Sequence, residues 1–235
     1  MRAAPFIEHK GMRFLNVPHA QEVFDEVVTH DCYEIRNLPT DAVLLDLGAF
    51  YGEATIFACS LGLKALAFEP SLDSMAVLGI NLTQNDFCKH NATAMNLAIA
   101  HENVPVSHYY RPEHPAGSGP KANECSVFQS IPGITMEKAI GMARASHPRR
   151  PLALKMDIEG AESIAFSKYQ EWLHEVDFVM METHNFDAGT YAELLMDNGF
   201  AVKTTGTGVP PRLPWDGTMA GGLVIAKRKH AKTRN

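Results

Sequence analysis

The sequence predicts an α/β fold, an open and mainly parallel sheet with helices on both faces. Three observations predict it. Short apolar runs alternate with helical patterns from residue 42 onward. Each run ends in a polar residue, so a row of polar groups would line one sheet edge. The last two runs, "FAVKTT" (200–205) and "GGLVIAK" (221–227), read as a closing antiparallel pair.

The elements follow in order. Residues 1–41 form an N-terminal extension with one helix, "QEVFDEVVTH", whose Val23, Phe24, Val27 and Val28 share a face. "AVLLDLG" (42–48) is a buried strand by length and branching. "EATIFACSLG" (53–62) is a helix closed by Gly62, and "ALAFE" (65–69) is the second strand. Pro70 and Ser71 open a helix carrying Leu72, Met75, Leu78 and Leu82. "ATAMNLAI" (92–99) is the third strand. Residues 100–134 read as an insertion. There "VPVSHYY" and "CSVFQSI" are strands around the Pro- and Gly-rich loop "RPEHPAGSGPKANE". "PLALKMD" (151–157) is the fourth strand, followed by a helix with Ala161, Ala165, Tyr169, Leu173 and Val176 on one face. "DFVMMET" (177–183) is the fifth. A short helix from Tyr191 to Asp197 stops at Asn198-Gly199. The expected division is therefore 1–41 as extension and 42–235 as the main domain.

Composition excludes several classes. The 235 residues are 46% hydrophobic and 20% charged, enough for a sizeable core. A net charge of −6 leaves no footprint for a nucleic-acid partner. The basic tail Lys227–Asn235 reads as a solvated end. The four cysteines are dispersed without a CxxC pair, which argues against a zinc site. No segment reaches roughly 18 uninterrupted apolar residues, and no signal peptide is visible. The expectation is a cytoplasmic protein with no membrane span, with a homodimer left open.

Ligands of such sheets bind beyond the carboxyl ends of the strands. Asp46 ends the first strand, Glu69 the second and Asp157 the fourth, and Asn96 lies near the end of the third. Glu182 ends the fifth, with His184 just after it. The loop Asp46-Leu47-Gly48-Ala49-Phe50-Tyr51-Gly52 is a poor match to the G-x-G-x-x-G of dinucleotide folds. Phe50 stands where the backbone should meet a pyrophosphate, and Glu53 adds negative charge at the helix start. Glu69 lies about 20 residues on, where a carboxylate accepts ribose hydroxyls. A ligand with a ribose, a positive charge and no phosphate fits this rim. S-adenosylmethionine is such a ligand, so a methyltransferase is favoured over a nicotinamide enzyme.

"LLDLGAFYGEATIFA", "AFEP", "NLTQND", "LKMDIEGAE" and "FVMMETH" together resemble the FkbM family of S-adenosylmethionine-dependent methyltransferases. The resemblance runs from about Val43 to Ile225, and its most specific part is "KMDIEGAE". It implies the Rossmann-like class I methyltransferase fold, with a seven-stranded, mainly parallel sheet whose last strand is reversed. It also implies methyl transfer to a hydroxyl oxygen of a small-molecule or glycan acceptor. By the same resemblance Asp46, Gly48 and Gly52 hold the methionine part of the cofactor. Glu69 binds the ribose, Asn96 lies near the adenine, and Asp157 faces the methyl group. The family usually has Asn where Phe50 stands, and Tyr51 is the candidate to replace that contact.

Transfer to oxygen needs an aligned acceptor and a group that takes its proton. Asp157 is the first candidate for the base. Lys155, two residues earlier on the same strand face, could pair with Asp157 or meet a substrate oxygen. Glu159 could reach substrate, whereas Glu162 mainly serves the start of the next helix. His184 with Glu182 is an alternative base, or could complete a Mg²⁺ site with Asp157. Tyr109, Tyr110 and Trp215, with Arg212 and Asp216, are candidates to contact the acceptor. Two other classes stay open: an NAD-dependent oxidoreductase on a similar sheet, and a non-catalytic S-adenosylmethionine-binding protein.

Overall fold

A computed structural model describes residues 5–112, 114–120, 127–167, 170–184, 188–205 and 222–230. The chain opens with a hairpin that the sequence reading did not foresee, β1 (Phe6–His9) and β2 (Met12–Leu15), turning through Lys10 and Gly11 at positive φ. The expected N-terminal helix follows as α1 (Ala20–Phe24), continued by a π-helical turn over Asp25–Thr29. The parallel core is β3 (Val43–Leu47), β4 (Lys64–Phe68) and β5 (Ala92–Met95), with α2 (Glu53–Ser60) and α3 (Leu72–Thr83) between them. Ser71 accepts the Ser74 N–H and so caps α3.

The third expected strand is split. Asn96 and Leu97 break it, and Ala98–Ile99 (β6) joins a separate three-stranded sheet with β7 (Pro105–Tyr110) and β8 (Val127–Ile134). The latter two are the strands expected in the insertion, and they pair antiparallel. Next comes α4 (Met136–Ser146), which the sequence reading missed although Met136, Ala139, Ile140 and Ala143 carry helical spacing and are buried.

The main sheet continues with β9 (Leu152–Met156). The long helix expected after it is instead two short pieces, α5 (Glu162–Ala165) and a 3₁₀ turn over Glu171–Glu175. Ala165, Leu173 and Val176 still reach the core, so the apolar spacing was real but is met by separate turns. Tyr169 lies outside the described residues. The chain then forms β10 (Phe178–Thr183), α6 (Ala188–Asp197), β11 (Phe200–Thr205) and β12 (Gly222–Arg228). The sheet order is β11-β12-β10-β9-β3-β4-β5, with β12 antiparallel to both neighbours and β3, β4, β5, β9 and β10 parallel. This is the seven-stranded Rossmann-like sheet with a reversed last strand.

Alternate residues of the central strands enter two cores. Val43, Leu45 and Leu47 face α4, Trp172 and Leu173. Leu44, Ala153 and Met180 face α2 and the N-terminal segment, including Phe14, Phe24 and Val28. Full burial of each such side chain contributes about 1.5–3 kcal/mol. The N-terminal segment is therefore built into the sheet's second face. Its hairpin is also tied to α3. Asn81 accepts the Leu15 N–H at 2.7 Å, and Asn85 accepts the Arg13 N–H at 3.0 Å. Leu72 is exposed at the start of α3.

Candidate active site at the carboxyl edge of the sheet

Beyond the carboxyl ends of β3, β4 and β9 lies a cavity of about 500 Å³. The glycine loop forms one wall. Gly48 has φ +74, and a Cβ there would stand 1.7 Å from the Asp157 carbonyl oxygen. Only glycine lets this loop lie against the end of β9. Gly52 has φ +96, and a Cβ there would meet Leu78 Cδ1 at 2.4 Å. Phe50 lines the cavity at φ +49 and stacks on Tyr51 at 3.7 Å.

Glu69 fixes this wall. Its Oε2 accepts the Phe50 N–H at 2.7 Å and its Oε1 the Ser71 N–H at 2.8 Å. Burial nevertheless pushes its carboxyl up to about 7, and it remains at the cavity surface. Asn96 donates to the Glu69 and Pro70 carbonyls, at 2.8 Å each, and so braces the β4 end from behind.

Asp46 turns inward. It is fully buried and accepts the Thr55 hydroxyl at 2.7 Å, with Lys155 Nζ 3.4 Å from its other oxygen. Lys155 also donates to the Gly48 carbonyl at 2.7 Å and lies 3.6 Å from Asp157 Oδ2. Burial alone would lower the Lys155 ammonium, but Asp46 and Asp157 outweigh it and hold the pKa above the usual range. The two readings of Lys155 thus meet: it ties the loop to the strand end and still reaches the cavity.

Asp157 follows β9 with both oxygens engaged differently. Oδ2 accepts the Tyr33 hydroxyl at 3.1 Å, while Oδ1 faces His184 Nε2 at 3.8 Å. Glu159, held at φ +52, brings Oε2 to 3.7 Å from the same nitrogen, and Glu182 Oε1 stands at 3.9 Å. The other ring nitrogen, Nδ1, lies 3.0 Å from Glu162 Oε1, which also accepts the Ile158 N–H. Burial would lower the His184 pKa, yet the bond to Glu162 and the surrounding charges raise it to about 10. Burial pushes Glu159 and Glu182 each up to about 8. Asp157, Glu182 and His184 offer ligand atoms within 4.8 Å of one another, so this rim could hold a metal.

The structure gathers Asp157, Lys155 and Glu159 on one side of the cavity, with His184 behind them, and Gly48, Phe50 and Glu69 on another. Tyr51, Gly52, Asp46 and Asn96 stand behind the lining. Sequence reasoning missed four lining groups. Glu53 is buried at the start of α2 with Oε1 unpartnered, and burial pushes it up to about 8. In the sequence its place at the helix start speaks only against a phosphate ligand. Glu26 and Tyr33 come from the N-terminal segment, where no motif marks them. His108 on β7 faces the cavity, and burial lowers it to about 4. Alternation within "VPVSHYY" could have found it. Tyr109 packs edge-on against Phe128. Trp215, Arg212 and Asp216 lie outside the described residues, as does the end of the basic tail. Among the described residues, no helix is long and apolar enough to cross a membrane.

No family model matches the chain. Over 69 residues it is 38% identical to methyltransferase sdnD of Sordaria araneosa. That stretch covers 28% of this chain, and the chain spans 27% of that protein's length. Similar solved structures include a Streptococcus thermophilus rRNA methylase, with TM-score 0.48 and 12% identity over 85% of this chain and 93% of that one. An Agrobacterium tumefaciens SAM-dependent methyltransferase has TM-score 0.49 and 9% identity over 95% of this chain and 69% of that one. A precorrin-6y C5,15-methyltransferase from Geobacter metallireducens has TM-score 0.45 and 16% identity, over 94% and 92%. Likeness at this level says nothing of substrate.

Proposed function

We propose that the protein is an S-adenosylmethionine-dependent methyltransferase that acts on a hydroxyl oxygen of a small-molecule or glycan acceptor. One observation carries the reading. Glu69, the carboxylate at the end of the second parallel strand, faces an acid-lined cavity whose glycine loop is obstructed by Phe50. That wall suits a ribose and a cationic sulfonium, and it suits a diphosphate badly. The FkbM resemblance across the strand-end motifs supports the same cofactor and an oxygen acceptor.

In this reading Glu69 accepts ribose hydroxyls, and Gly48 lets the methionine part pass close to the backbone. Asp46 and Lys155 hold the loop in shape, with Tyr51, Gly52 and Asn96 bracing it. Glu26 and Glu53 supply negative charge for the cationic cofactor. The acceptor lies against Asp157 and Glu159. The oxygen attacks the methyl carbon as the carbon–sulfur bond breaks, and Asp157 takes the hydroxyl proton. The products are a methyl ether and S-adenosylhomocysteine.

Calorimetric titration with S-adenosylhomocysteine tests the cofactor. The wild type should bind one equivalent, and Glu69→Ala should weaken binding by roughly tenfold or more, the loss of a hydrogen-bonded charged group. Absence of binding to the wild type would sink the reading.

A further inference from the structure

We propose that His184, Asp157 and Glu182 form a binding site for a divalent transition-metal ion on the acceptor side of the cavity. The metal binding stands on its own geometry. Only its use in catalysis rests on the methyltransferase reading.

The geometry begins with the imidazole. The His184 side chain is 9% exposed, and its Nε2 is aimed at three carboxylates rather than bonded to one. The distances from Nε2 are 3.8 Å to Asp157 Oδ1, 3.9 Å to Glu182 Oε1 and 3.7 Å to Glu159 Oε2. Each exceeds an N–H···O bond, which is about 2.9 Å. Donors about 2.1 Å from one shared ion stand roughly 3.4–3.6 Å apart, so each of these distances has to close by a few tenths of an ångström. The ring nitrogen and one oxygen each of Asp157 and Glu182 are all within 4.8 Å of one another, so the donors draw together by up to about an ångström when an ion binds.

The second observation is how the donors are held. A ligating histidine typically donates its other ring N–H to a carboxylate, which fixes tautomer and orientation. Here His184 Nδ1 meets Glu162 Oε1 at 3.0 Å, and Glu162 is fully buried and bound to the Ile158 N–H. Asp157 is divided in the same way. Tyr33 and Lys155 occupy Oδ2, which leaves Oδ1 facing the imidazole. Both groups are therefore oriented by one atom, and an ion would take the place of the imidazolium proton between the other two. Glu159 reaches the same place through a left-handed backbone, φ +52, that a non-glycine residue adopts only when its surroundings impose it.

The donor set decides the metal class. One imidazole nitrogen with two or three carboxylates suits Mn²⁺, Fe²⁺ or Zn²⁺ better than Mg²⁺ or Ca²⁺, which favour all-oxygen shells. Asp157, Glu159 and Glu182 line the cavity, so the ion would face it with open positions. Those positions fit an acceptor with an ionisable hydroxyl beside a second oxygen donor, such as a vicinal diol, a catechol or a hydroxy acid. With an ion bound, Asp157 would ligate it instead of taking the hydroxyl proton as it does in the metal-free mechanism, and Glu159 would receive that proton.

The test uses Mn²⁺ itself as the probe, with the full chain stripped by chelator and no cofactor or acceptor present. Electron paramagnetic resonance of free Mn²⁺ should show one equivalent taken up. Glu182→Gln and His184→Asn should each weaken that uptake by roughly tenfold or more. The exposed Glu137→Gln should leave it within a factor of about two. Mn²⁺ should also raise the melting temperature of the wild type and not of His184→Asn. Wild-type protein that takes up no Mn²⁺ at millimolar concentration overturns the proposal. So does uptake that neither variant weakens. S-adenosylhomocysteine binding is measured separately, so loss of the metal site and loss of the cofactor reading are told apart.

Discussion

At the scale of single residues, the chemistry of this edge comes from carboxylates in unequal surroundings. Glu53 is the clearest case. Burial raises its folded-state pKa to about 8 from 4.5, so the folded chain binds the proton more tightly than the unfolded chain does. Its contribution to stability is fully present below about pH 4.5 and is lost as pH rises through about 8. Glu53→Gln cannot ionise. Its melting temperature should match that of the wild type near pH 5 and exceed it by several degrees at pH 9 in thermal scans. A wild type that loses nothing relative to the variant between these pH values removes this account. Gly48 is the second case. Gly48→Ala would place a methyl group 1.7 Å from the Asp157 carbonyl oxygen at φ +74. The backbone has to move, at a cost of about 2 kcal/mol or more. The variant should unfold at lower urea and lose S-adenosylhomocysteine binding together. Ala49→Gly, one position on, should do neither to that extent.

At the scale of elements, the site depends on a segment that carries no motif. Asn81 on α3 is fully buried. It accepts the Leu15 N–H of β2 and donates to the Tyr51 carbonyl of the glycine loop at 2.8 Å. One side chain thus fastens the N-terminal hairpin to the glycine loop. Asn81→Ala leaves both groups without that partner, and each such buried group costs about 1–3 kcal/mol. Equilibrium urea unfolding should show a loss of about 2 kcal/mol or more, and the loop's amides at Phe50 and Tyr51 should exchange faster with deuterium. Unchanged exchange there would mean the hairpin and the loop are independent. Sequence periodicity could not show this link. It found β3, β4, β9, β10 and the reversed pair because each is an apolar run bounded by turn residues. It joined α5 to the following 3₁₀ turn because an apolar residue every third or fourth position satisfies a long helix and two short turns alike. It missed Tyr33 and Glu26 because nothing local distinguishes them, and only packing of the N-terminal segment against α2 and β9 brings them to Lys155 and Asp157.

At the scale of the whole molecule, the deciding quantity is the charge gathered at one end of the sheet. Glu26, Glu53, Glu69, Asp157, Glu159 and Glu182 line a single cavity in which, among the described residues, Lys155 is the one lysine or arginine. The strand-end row was legible in the sequence, since four of the sheet's strands close on Asp46, Glu69, Asp157 and Glu182. Its partition was not. Asp46 is consumed inside by Thr55 and Lys155, while Glu53, off the strands, becomes a wall. Such a cavity stays closer to neutral when empty by keeping protons, with Glu69 near 7 and Glu53 near 8, both through burial. A cationic ligand takes over that role. S-adenosylmethionine should therefore release protons as it binds near pH 7, and its affinity should fall as pH drops from 8 to 6. Titration calorimetry at one pH in phosphate and in Tris measures the release, because the two buffers differ in their heat of protonation. The apparent binding heats should differ between the buffers for the wild type, and differ less for Glu53→Gln. S-adenosylhomocysteine lacks the sulfonium charge and should release fewer protons. Equal heats in both buffers for S-adenosylmethionine would mean these carboxyls do not face the bound cation.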